Sequence, residues 1–584
     1  MQTKSELVQS GIDRNITSKE QEPLKGATTI QRLLPYTLFM AMVCAILLLD
    51  AVLPLEGFWF HTALLTRSGL WSLLPTHLLF PGWGVSPSLN SSQPTPPPVA
   101  LSWLEVPLLL AAFLIVFLAY LVTLRRLPRH LTTLRYIFYS TLLLGLVYTL
   151  VPVVTSPDLF SYISYARIGV IYHLNPLTIL PTTISNDPVY IHLYWINQPS
   201  AYGPTWVAIS SLLQWITLLF GEQSLLPMVL ALRFLGLISH ICSTLLIWSI
   251  AGRVQRLQGR VSQQKRLLAT LAFAWNPLLL FEACVNAHND ATLLLFILLA
   301  VWYLLPGKQS MNGYLTAILM LALATCLKLN AVLLLPFFLI FIWKLEIRKK
   351  SAIAGSPAFR TLIAGLTYTG AIALLYAPFW QNGDILHVFQ VNPTTSRTIN
   401  TLAEFFNQLY SSITSIPGHS FASQYSSEIE SVAHALSIGI FVILYGVLCW
   451  QAMARAHSMR TLASLLRWLA LAWLLYCCIG TPWFWPWYTV TLFGLYALVE
   501  ATGEISEIPE RARMNLAPTD LAFAAYLLAF SMLSIYCFYA WGPHVTFIPG
   551  LPGFQWAYLR GLWAWGIPLL AIGGPLCKAY KKRQ

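Results

Sequence analysis

Apolar segments of about 20 residues, the length that crosses a bilayer core as a helix, recur along the whole chain. Only 10% of the 584 residues are charged and the mean hydropathy is +0.64, whereas about a quarter of the residues in a soluble domain are charged. We therefore predict an all-α polytopic membrane protein. The candidate spans lie near 31–53, 101–123, 134–154, 225–250, 267–282, 290–305, 313–327, 329–343, 361–379, 431–454, 468–482, 484–500, 518–540 and 557–577.

The basic residues are concentrated in short segments between the apolar ones. A formal net charge of +13 would suit a nucleic-acid-binding protein if the charge formed a patch. Here the charge follows the positive-inside pattern, in which cytoplasmic loops carry Lys and Arg. We therefore expect a multi-pass protein of the plasma membrane with both termini in the cytoplasm, and no nucleic-acid partner. The basic segments are 125–129, 253–266, 344–350, 455–460 and 578–583.

Several common function classes lack their sequence motifs in this chain. The nine Cys residues form no CxxC pair and lie mostly in apolar segments, where they behave as small apolar residues. The chain has no P-loop, dinucleotide fingerprint or HExxH motif, so we expect no nucleotide-handling domain and no cofactor. The first 30 residues lack the apolar core of a signal peptide, so the first span is expected to be retained.

Three long segments between spans are predicted on the outer side, at 54–100, 155–224 and 380–430. The first ends in SSQPTPPP, which is a Pro-rich spacer. Residues 204–220 are apolar enough to span the membrane, but a span there would move the basic segment 253–266 to the outside. We therefore expect 204–220 to form an interfacial or re-entrant helix on the outer face.

One carboxylate stands at the start of a tyrosine-rich outer segment, TSPDLFSYISYARIGVIYHLNPL, at 155–177. Ser156 is a favourable helix cap, and Pro157 suits the first helical position. Asp158 then falls in the first turn, where the helix dipole favours the anionic form. We therefore expect Asp158 to lie at the surface in contact with water and to stay ionised near neutral pH.

The tyrosines of this segment recur at helical spacing. One stripe of the predicted helix carries Asp158, Tyr162, Tyr165, Gly169 and Tyr172. Tyrosine rings and hydroxyl groups suit a sugar, and a carboxylate beside them can take the proton of an attacking hydroxyl as a general base. The structural alternative is that the carboxylate favours the helix start and the tyrosines form an interfacial aromatic belt.

A second group of polar residues separates two apolar segments within WNPLLLFEACVNAHND at 275–290. Polar side chains this close to lipid are costly unless they are paired or used. The structural alternative is a turn that caps the next helix. The residues that this segment brings to the membrane surface are Glu282, Asn286, His288, Asn289 and Asp290.

Three shorter motifs also fall near the predicted outer face. AYGPTW at 201–206 closes the outer segment that begins near Asp158. Lys328 lies within the apolar run LATCLKLNAVLLLP and is either a snorkelling structural lysine or a partner for a lipid-linked phosphate. TPWFWPWY at 481–488 crowds aromatic rings at the end of a span, which is typical of an aromatic belt or of a wall for a prenyl chain.

The order of these motifs resembles that of a known family. SPDLFSYISYARIG followed by NPL, then YGP, WNPLLL with NAHNDA, and LKLNAVLLLP are similar to motifs of the polyprenol-phosphate-mannose-dependent alpha-1,6-mannosyltransferases of the GT-C superfamily. The resemblance covers residues 100–500. Pro157 before the Asp, and NPL in place of the more usual NPY or DPY, depart from the family pattern and bear on the sugar and the acceptor.

The resemblance implies a GT-C-like bundle of about 14 transmembrane helices with interfacial helices on the outer face. It implies that Asp158 is the catalytic base and that Tyr162 and Tyr165 line a sugar site on that face. Arg167, Arg397, Lys328 and protonated His288 are the candidate cations for a departing phosphate. The full set of expected substrate-binding residues is Tyr162, Tyr165, Arg167, Tyr202, His288, Asn289, Asp290, Lys328 and Arg397.

The implied reaction moves a sugar, with mannose expected, from a polyprenyl-phosphate donor in the bilayer to a glycan or glycolipid acceptor, with inversion. A lone Asp without a neighbouring carboxylate gives little support for a metal site. Two alternatives stay open: a lipid-linked sugar transporter or flippase, which usually carries ionisable groups and repeats near the midplane, and a polysaccharide polymerase or ligase, which the segment 380–430 would suit. A membrane scaffold has no feature in its favour.

The expected organisation has four parts. They are a cytoplasmic tail at 1–30, a membrane helix pair with a Pro-rich outer loop at 31–123, a GT-C-like catalytic membrane domain at 124–500, and C-terminal membrane helices with a basic tail at 501–584.

Overall fold

The computed structural model describes ten stretches of the chain, and the regular structure in them is helical. The stretches are 36–46, 102–126, 133–151, 156–349, 356–388, 398–414, 426–455, 459–503, 518–541 and 559–581. They contain no β-strand, and one isolated bridge joins Ile399 and Trp483. The all-α class is therefore confirmed for these stretches. The predicted N-terminal tail at 1–30 and the Pro-rich loop at 54–100 lie outside them.

The helices of the first half begin with short local signals. Thr133 and Ser262 each precede a helix, and their hydroxyl oxygens accept a hydrogen bond from the backbone N–H three residues later. The helices are α1 Tyr36–Ile46, α2 Ser102–Arg126, α3 Leu134–Leu150, α4 Asp158–Val170, α5 Pro204–Thr217, α6 Leu226–Leu257, α7 Gln263–Ala274, α8 Pro277–Leu280 and α9 Asp290–Tyr303.

The second half continues with longer apolar helices. They are α10 Met311–Leu327, α11 Leu335–Lys349, α12 Pro357–Tyr376, α13 Leu402–Thr414, α14 Ser426–Ala454, α15 Leu462–Leu475, α16 Thr489–Thr502, α17 Pro518–Trp541 and α18 Arg560–Lys581. The predicted span at 484–500 starts later than expected, at Thr489. Its first residues form a short 3₁₀ turn at Pro486–Tyr488, because a proline there cannot continue a helix from the preceding segment.

Six helical segments of the described part are long and apolar enough to cross a membrane, and a seventh is added if α7 and the segment Pro277–Val285 count as one span bent by 45°. Other apolar helices, such as α3, α9 and α10, have only 10–17 residues. By this criterion the expected count of about 14 is not confirmed. The segment 204–220 is helical as predicted, but its interfacial placement stays a prediction.

The packing brings the predicted outer segments together around one region. Helix α4 packs on α5, and α5 packs in turn on α10. The end of α10 therefore lies close to the start of α5. A second contact is extended backbone: Ile399 donates to the carbonyl of Pro482 (2.8 Å), and Phe484 donates to the carbonyl of Ile399 (3.1 Å). This pairing fixes the aromatic segment at 481–488 beside the same region.

Candidate functional site

A cavity of about 1260 Å³ lies where these segments meet. Asp158, Tyr202 and Lys328 line it. Tyr202 follows Asp158 by 44 residues in the sequence, and Lys328 follows Tyr202 by 126. Tryptophans form one part of the wall and aliphatic residues another. A large, mainly apolar cavity with a few convergent polar groups is the usual form of a small-molecule site.

Asp158 lies in the first turn of α4, as predicted, but the helix begins at Asp158 with Pro157 at the cap position, one residue later than expected. Both of its carboxylate oxygens accept hydrogen bonds. Trp195 donates its indole Nε1–H to Oδ1 (3.2 Å), and Tyr202 donates its hydroxyl to Oδ2 (2.9 Å). The side chain is half-buried and faces the cavity. The expectation that Asp158 lies at an open surface is therefore wrong. Two donors fix the carboxylate, which leaves its remaining lone pairs for a substrate hydroxyl.

Burial raises the pKa of Asp158 above its ordinary value. The hydrogen bonds from Tyr202 and Trp195, and the positive charge of Lys328, lower the pKa because each stabilises the carboxylate, but burial is the larger effect. The helix dipole was expected to determine the pKa of Asp158, but burial has the larger effect. A carboxyl group with a raised pKa is a better proton acceptor, which suits a general base.

The two tyrosines of α4 that the sequence assigned to the sugar site differ in position. Tyr165 lines the cavity beside Asp158, and its hydroxyl donates to the carbonyl of Gln198 (3.3 Å). Tyr162 does not line the cavity; it is fully buried behind Asp158, with its ring edge-on to Tyr202 at 4.9 Å between centroids. The predicted stripe therefore divides, with Tyr165 in the site and Tyr162 supporting it.

Arg167 lies away from the cavity, in a buried ion pair. Its guanidinium Nε and Nη2 both lie 2.8 Å from the Asp187 carboxylate, and its Nη1 donates to the carbonyl of Glu222 (2.9 Å). Tyr172 donates to the same Asp187 (3.0 Å). Arg167 follows Asp158 by nine residues, which is half a turn out of phase in a helix. Its placement gives it a structural role and removes it from the candidate cations.

Lys328 lines the cavity at the junction after α10, and Asp290 holds it there. The Lys328 Nζ lies 2.9 and 2.8 Å from the two Asp290 carboxylate oxygens and 4.3 Å from the centroid of the Tyr488 ring. Asp290 is the first residue of α9, as predicted, and is buried. An ammonium group has three donors, so one remains for a ligand in the cavity.

His288 and Asn289 are buried behind the cavity wall rather than within it. The His288 ring stacks on Trp487 at 3.8 Å between centroids, and its Nδ1 lies 3.4 Å from the Tyr162 hydroxyl. Burial, and the nearby charge of Lys328, lower the pKa of His288 well below its ordinary value. This shift favours the neutral ring, so the structure gives no support to the expected role of a protonated His288 as a cation.

The remaining polar residues of this segment pair with each other and with α17. The Tyr536 hydroxyl donates to Glu282 (2.7 Å), and the Asn286 amide donates to Glu282 (3.1 Å) and Tyr536 (3.1 Å). The Glu282 carboxylate lies 3.5 Å from the His288 Nε2. These hydrogen bonds satisfy the buried polar groups of Glu282, Asn286 and Tyr536 and support the wall on which His288 and Asp290 stand.

Steric crowding explains the glycine of the YGP motif, Gly203. A Cβ atom on Gly203 would lie 2.2 Å from the carbonyl oxygen of Cys326, and the Gly203 N–H donates to the carbonyl of Leu327 (3.3 Å). Only glycine allows the chain to approach the end of α10 so closely. This approach brings Tyr202, which bonds Asp158, next to the segment that carries Lys328.

The structure adds Trp195, a lining residue that the sequence did not suggest, and it places two tryptophans of the predicted belt or prenyl wall in the cavity lining. Trp195 touches Asp158, while Trp483 and Trp485 line the same wall. The signal available in the sequence was the aromatic content of the segments around 194 and 483. Arg397 lies outside the described residues. Among the described residues there is no group of three or more His, Cys, Asp or Glu side chains that could hold a metal ion.

The described part of the chain contains apolar helices that are long enough to cross a membrane, and residues 78–344 match a family model. The matching family model is described as alpha-(1->6)-mannopyranosyltransferase, N-terminal domain. This match confirms the resemblance to alpha-1,6-mannosyltransferases and covers Asp158 and Lys328. It spans a little under half of the chain. No significant match is found among curated protein sequences.

Two solved structures from Archaeoglobus fulgidus show a distant likeness. One is the oligosaccharyltransferase AglB in complex with an inhibitory peptide and a dolichol-phosphate, with 13% identity, a TM-score of 0.33, and coverage of 77% of this chain and 56% of that chain. The other is an oligosaccharyltransferase in the apo form, with 13% identity, a TM-score of 0.31, and coverage of 80% and 55%. The chain spans little more than half the length of these proteins, and TM-scores this low do not establish a common fold.

Proposed function

We propose that this protein transfers mannose from a polyprenyl-phosphate donor to a hydroxyl group of a glycan or glycolipid, with Asp158 as the general base. One observation carries the proposal. Asp158 and Lys328 line a single cavity, and Lys328 is close enough to lower the pKa of Asp158. A proton acceptor and a cation that face one space suit an attacking hydroxyl and a departing phosphate.

The first half of the reaction takes place at Asp158. The acceptor hydroxyl approaches a carboxylate oxygen and gives up its proton as its own oxygen attacks the anomeric carbon. Hydrogen bonds from Trp195 and Tyr202 hold the carboxylate in one orientation, so it does not need to reorganise when the proton arrives. The carboxyl group is left protonated, and the new C–O bond forms on the face opposite the leaving group, with inversion.

The second half is the departure of the polyprenyl phosphate. As the bond between the anomeric carbon and the phosphate oxygen breaks, negative charge grows on that oxygen. Lys328 can donate its third N–H to the phosphate while Asp290 holds the other two. The Asp290 carboxylate thus fixes the ammonium group in the cavity wall. Release of the phosphate and of the proton from Asp158 restores the site.

The expected side of the membrane follows from the basic segments. If these face the cytoplasm, then α4, the segment 181–203 and the cavity open to the outer face. A polyprenyl-phosphate sugar can present its head group there. In a cysteine-free background, Ser185→Cys in intact cells should react with a membrane-impermeant thiol reagent, and Ser262→Cys should not. Labelling of Ser262→Cys from outside would contradict this orientation.

The proposed reaction is tested with purified protein, radiolabelled polyprenyl-phosphate sugars and a membrane extract that supplies acceptors. We expect label from polyprenyl-phosphate mannose in a glycan or glycolipid, through a linkage whose anomeric configuration is opposite to that of the donor. The matched control is Asp158→Asn, which should give no labelled product above background. Net movement of intact donor across proteoliposomes, without transfer in either protein, would contradict the proposal and favour a transporter.

A further inference from the structure

Three tryptophans form a continuous row along one wall of the cavity. The ring centroids of Trp195 and Trp483 lie 6.0 Å apart, and those of Trp483 and Trp485 are also 6.0 Å apart. All three line the cavity. We call these three residues the tryptophan row. Its spacing is comparable to the width of a sugar ring, and it begins at the residue that bonds Asp158.

Contacts with neighbouring residues fix the rings of the row. Backbone pairing with Ile399 fixes the residues on both sides of Trp483. Trp485 stacks on Trp487 at 5.0 Å with an interplanar angle of 7°, and Trp487 stacks on His288. Rings that are already fixed lose little conformational entropy when a ligand binds.

Another part of the cavity wall differs from the tryptophan row in chemistry and in origin. It is mainly aliphatic, with Phe441 and Tyr376 as aromatic members, and it comes from segments that are apolar enough to span the membrane, namely Leu329–Arg348, Pro357–Phe379 and Ser431–Ala454. The residues of these segments that line the cavity include Leu329, Val332, Leu333, Ile372, Ala373 and Phe441. The tryptophan row comes instead from segments outside all candidate spans. The lipid of a donor therefore fits the aliphatic wall.

We infer that the tryptophan row is the acceptor subsite and that it binds a glycan chain of at least two sugar units. The inference rests on the proposed function, since the group that meets the general base is the acceptor. Trp195 touches that base through Nε1, so its ring adjoins the reacting hydroxyl, and Trp483 and Trp485 continue the aromatic surface from Trp195. Tyr194 and Gln198 line the same side and supply polar groups for sugar hydroxyls.

The experiment measures binding separately from transfer. Saturation-transfer NMR with detergent-purified protein compares an α-1,6-linked mannotriose with farnesyl phosphate, a short analogue of the donor lipid. We expect Trp483→Leu to weaken binding of the mannotriose about tenfold and to leave farnesyl phosphate binding unchanged. Trp483→Phe should retain more of the affinity for the mannotriose because it keeps an aromatic ring. Trp215→Leu is the matched control, since Trp215 is 67% exposed on α5 and does not line the cavity.

Two opposite results would overturn the inference. Loss of farnesyl phosphate binding in Trp483→Leu, with mannotriose binding intact, would make the row a wall for the prenyl chain. Unchanged binding of both ligands would remove the row from the site. If Trp483→Leu does not fold, Trp485→Leu takes its place with the same criteria.

The outcome is distinguishable from failure of the proposed function. Asp158→Asn should still bind the mannotriose, because the three tryptophans of the row are retained. If the parent binds mannotriose through the row but transfers no sugar from any polyprenyl-phosphate donor, only the proposed reaction falls. If transfer requires Asp158 but the row variants bind mannotriose and transfer mannose to it normally, only the inference about the acceptor subsite is contradicted.

Discussion

The indole Nε1 of Trp195 donates a hydrogen bond to the Asp158 carboxylate at 3.2 Å, across 37 residues of sequence. The loop that carries Trp195 is tied down by Asp187, which pairs with Arg167 on the far face of α4. A single helix therefore presents the carboxylate on one side and anchors the loop that supports it on the other. This relationship makes the protonation of Asp158 depend on Trp195.

Trp195→Phe should raise the pKa of Asp158 further, because it removes a hydrogen bond that lowers that pKa. The general base must be deprotonated to act, so the rate of transfer falls as pH decreases through this pKa. We therefore expect the acidic limb of the kcat–pH profile, measured at saturating acceptor, to move to higher pH. Trp215→Phe is the control and should leave the limb in place. An unmoved limb in Trp195→Phe would contradict the coupling.

Lys328 is best tested together with its partner. Lys328→Ala alone leaves Asp290 buried without a counter-charge, which costs about 3–5 kcal/mol of stability. In Lys328→Gln/Asp290→Asn both charges are removed, so the fold should be retained. Loss of a charge-assisted bond to phosphate, about 1.5–3 kcal/mol, should raise the donor KM roughly ten- to hundredfold. An unchanged donor KM in the double variant would leave Lys328 with a structural role only.

Arg167→Gln should destabilise the protein without affecting donor binding. The change leaves Asp187 buried and unpaired, which costs about 3–5 kcal/mol, so the Tm in detergent should fall. Arg167→Gln/Asp187→Asn should recover much of the Tm, since it leaves no unpaired charge. The donor KM of the folded double variant should equal that of the parent. A raised donor KM without loss of Tm would indicate that Arg167 binds the donor and would contradict its structural role.

How far the sequence predicts the site depends on the range of each contact. The position of Asp158 at a helix start and that of Asp290 in a first turn follow from local signals, and both are observed. The contact of Trp195 with Asp158 depends on how a loop folds back, which no local pattern encodes. That Arg167 points away from Asp158 could have been predicted from the sequence, because nine residues make two and a half helical turns and so place the two side chains on opposite faces.

The aromatic segment at 481–488 is also only partly predictable from the sequence. Its composition predicts an interfacial belt or a prenyl wall, and its rings do line the cavity. Their order beside Asp158 depends on the pairing of Ile399 with the backbone around Trp483, a contact that spans 84 residues. The overall helical class, by contrast, follows from composition alone, because apolar runs of this length have few other stable structures in a bilayer.

Gly203→Ala should disturb the site through packing. The added Cβ would meet the carbonyl oxygen of Cys326 at 2.2 Å, and a backbone atom cannot move aside cheaply. Overpacking of this kind costs about 1–3 kcal/mol and would displace Tyr202 relative to Lys328. We expect a lower Tm and a lower transfer rate. Gly365→Ala is the matched control, since its Cβ would meet no atom within 4 Å. Parental activity in Gly203→Ala would contradict this explanation of the YGP motif.

The most direct measurement is the single-turnover rate of mannose transfer by Asp158→Asn. Asn keeps the size of the side chain but cannot take a proton, and general-base assistance supplies about 10²–10⁴ in rate, so the rate should fall at least about a hundredfold. The fold should persist: a carboxyl group whose pKa is raised by folding loses stabilising effect as pH rises through that pKa, so at pH 7 the variant should be at least as stable as the parent. A folded Asp158→Asn protein that transfers mannose at the parental rate would contradict the assignment of Asp158 as the base.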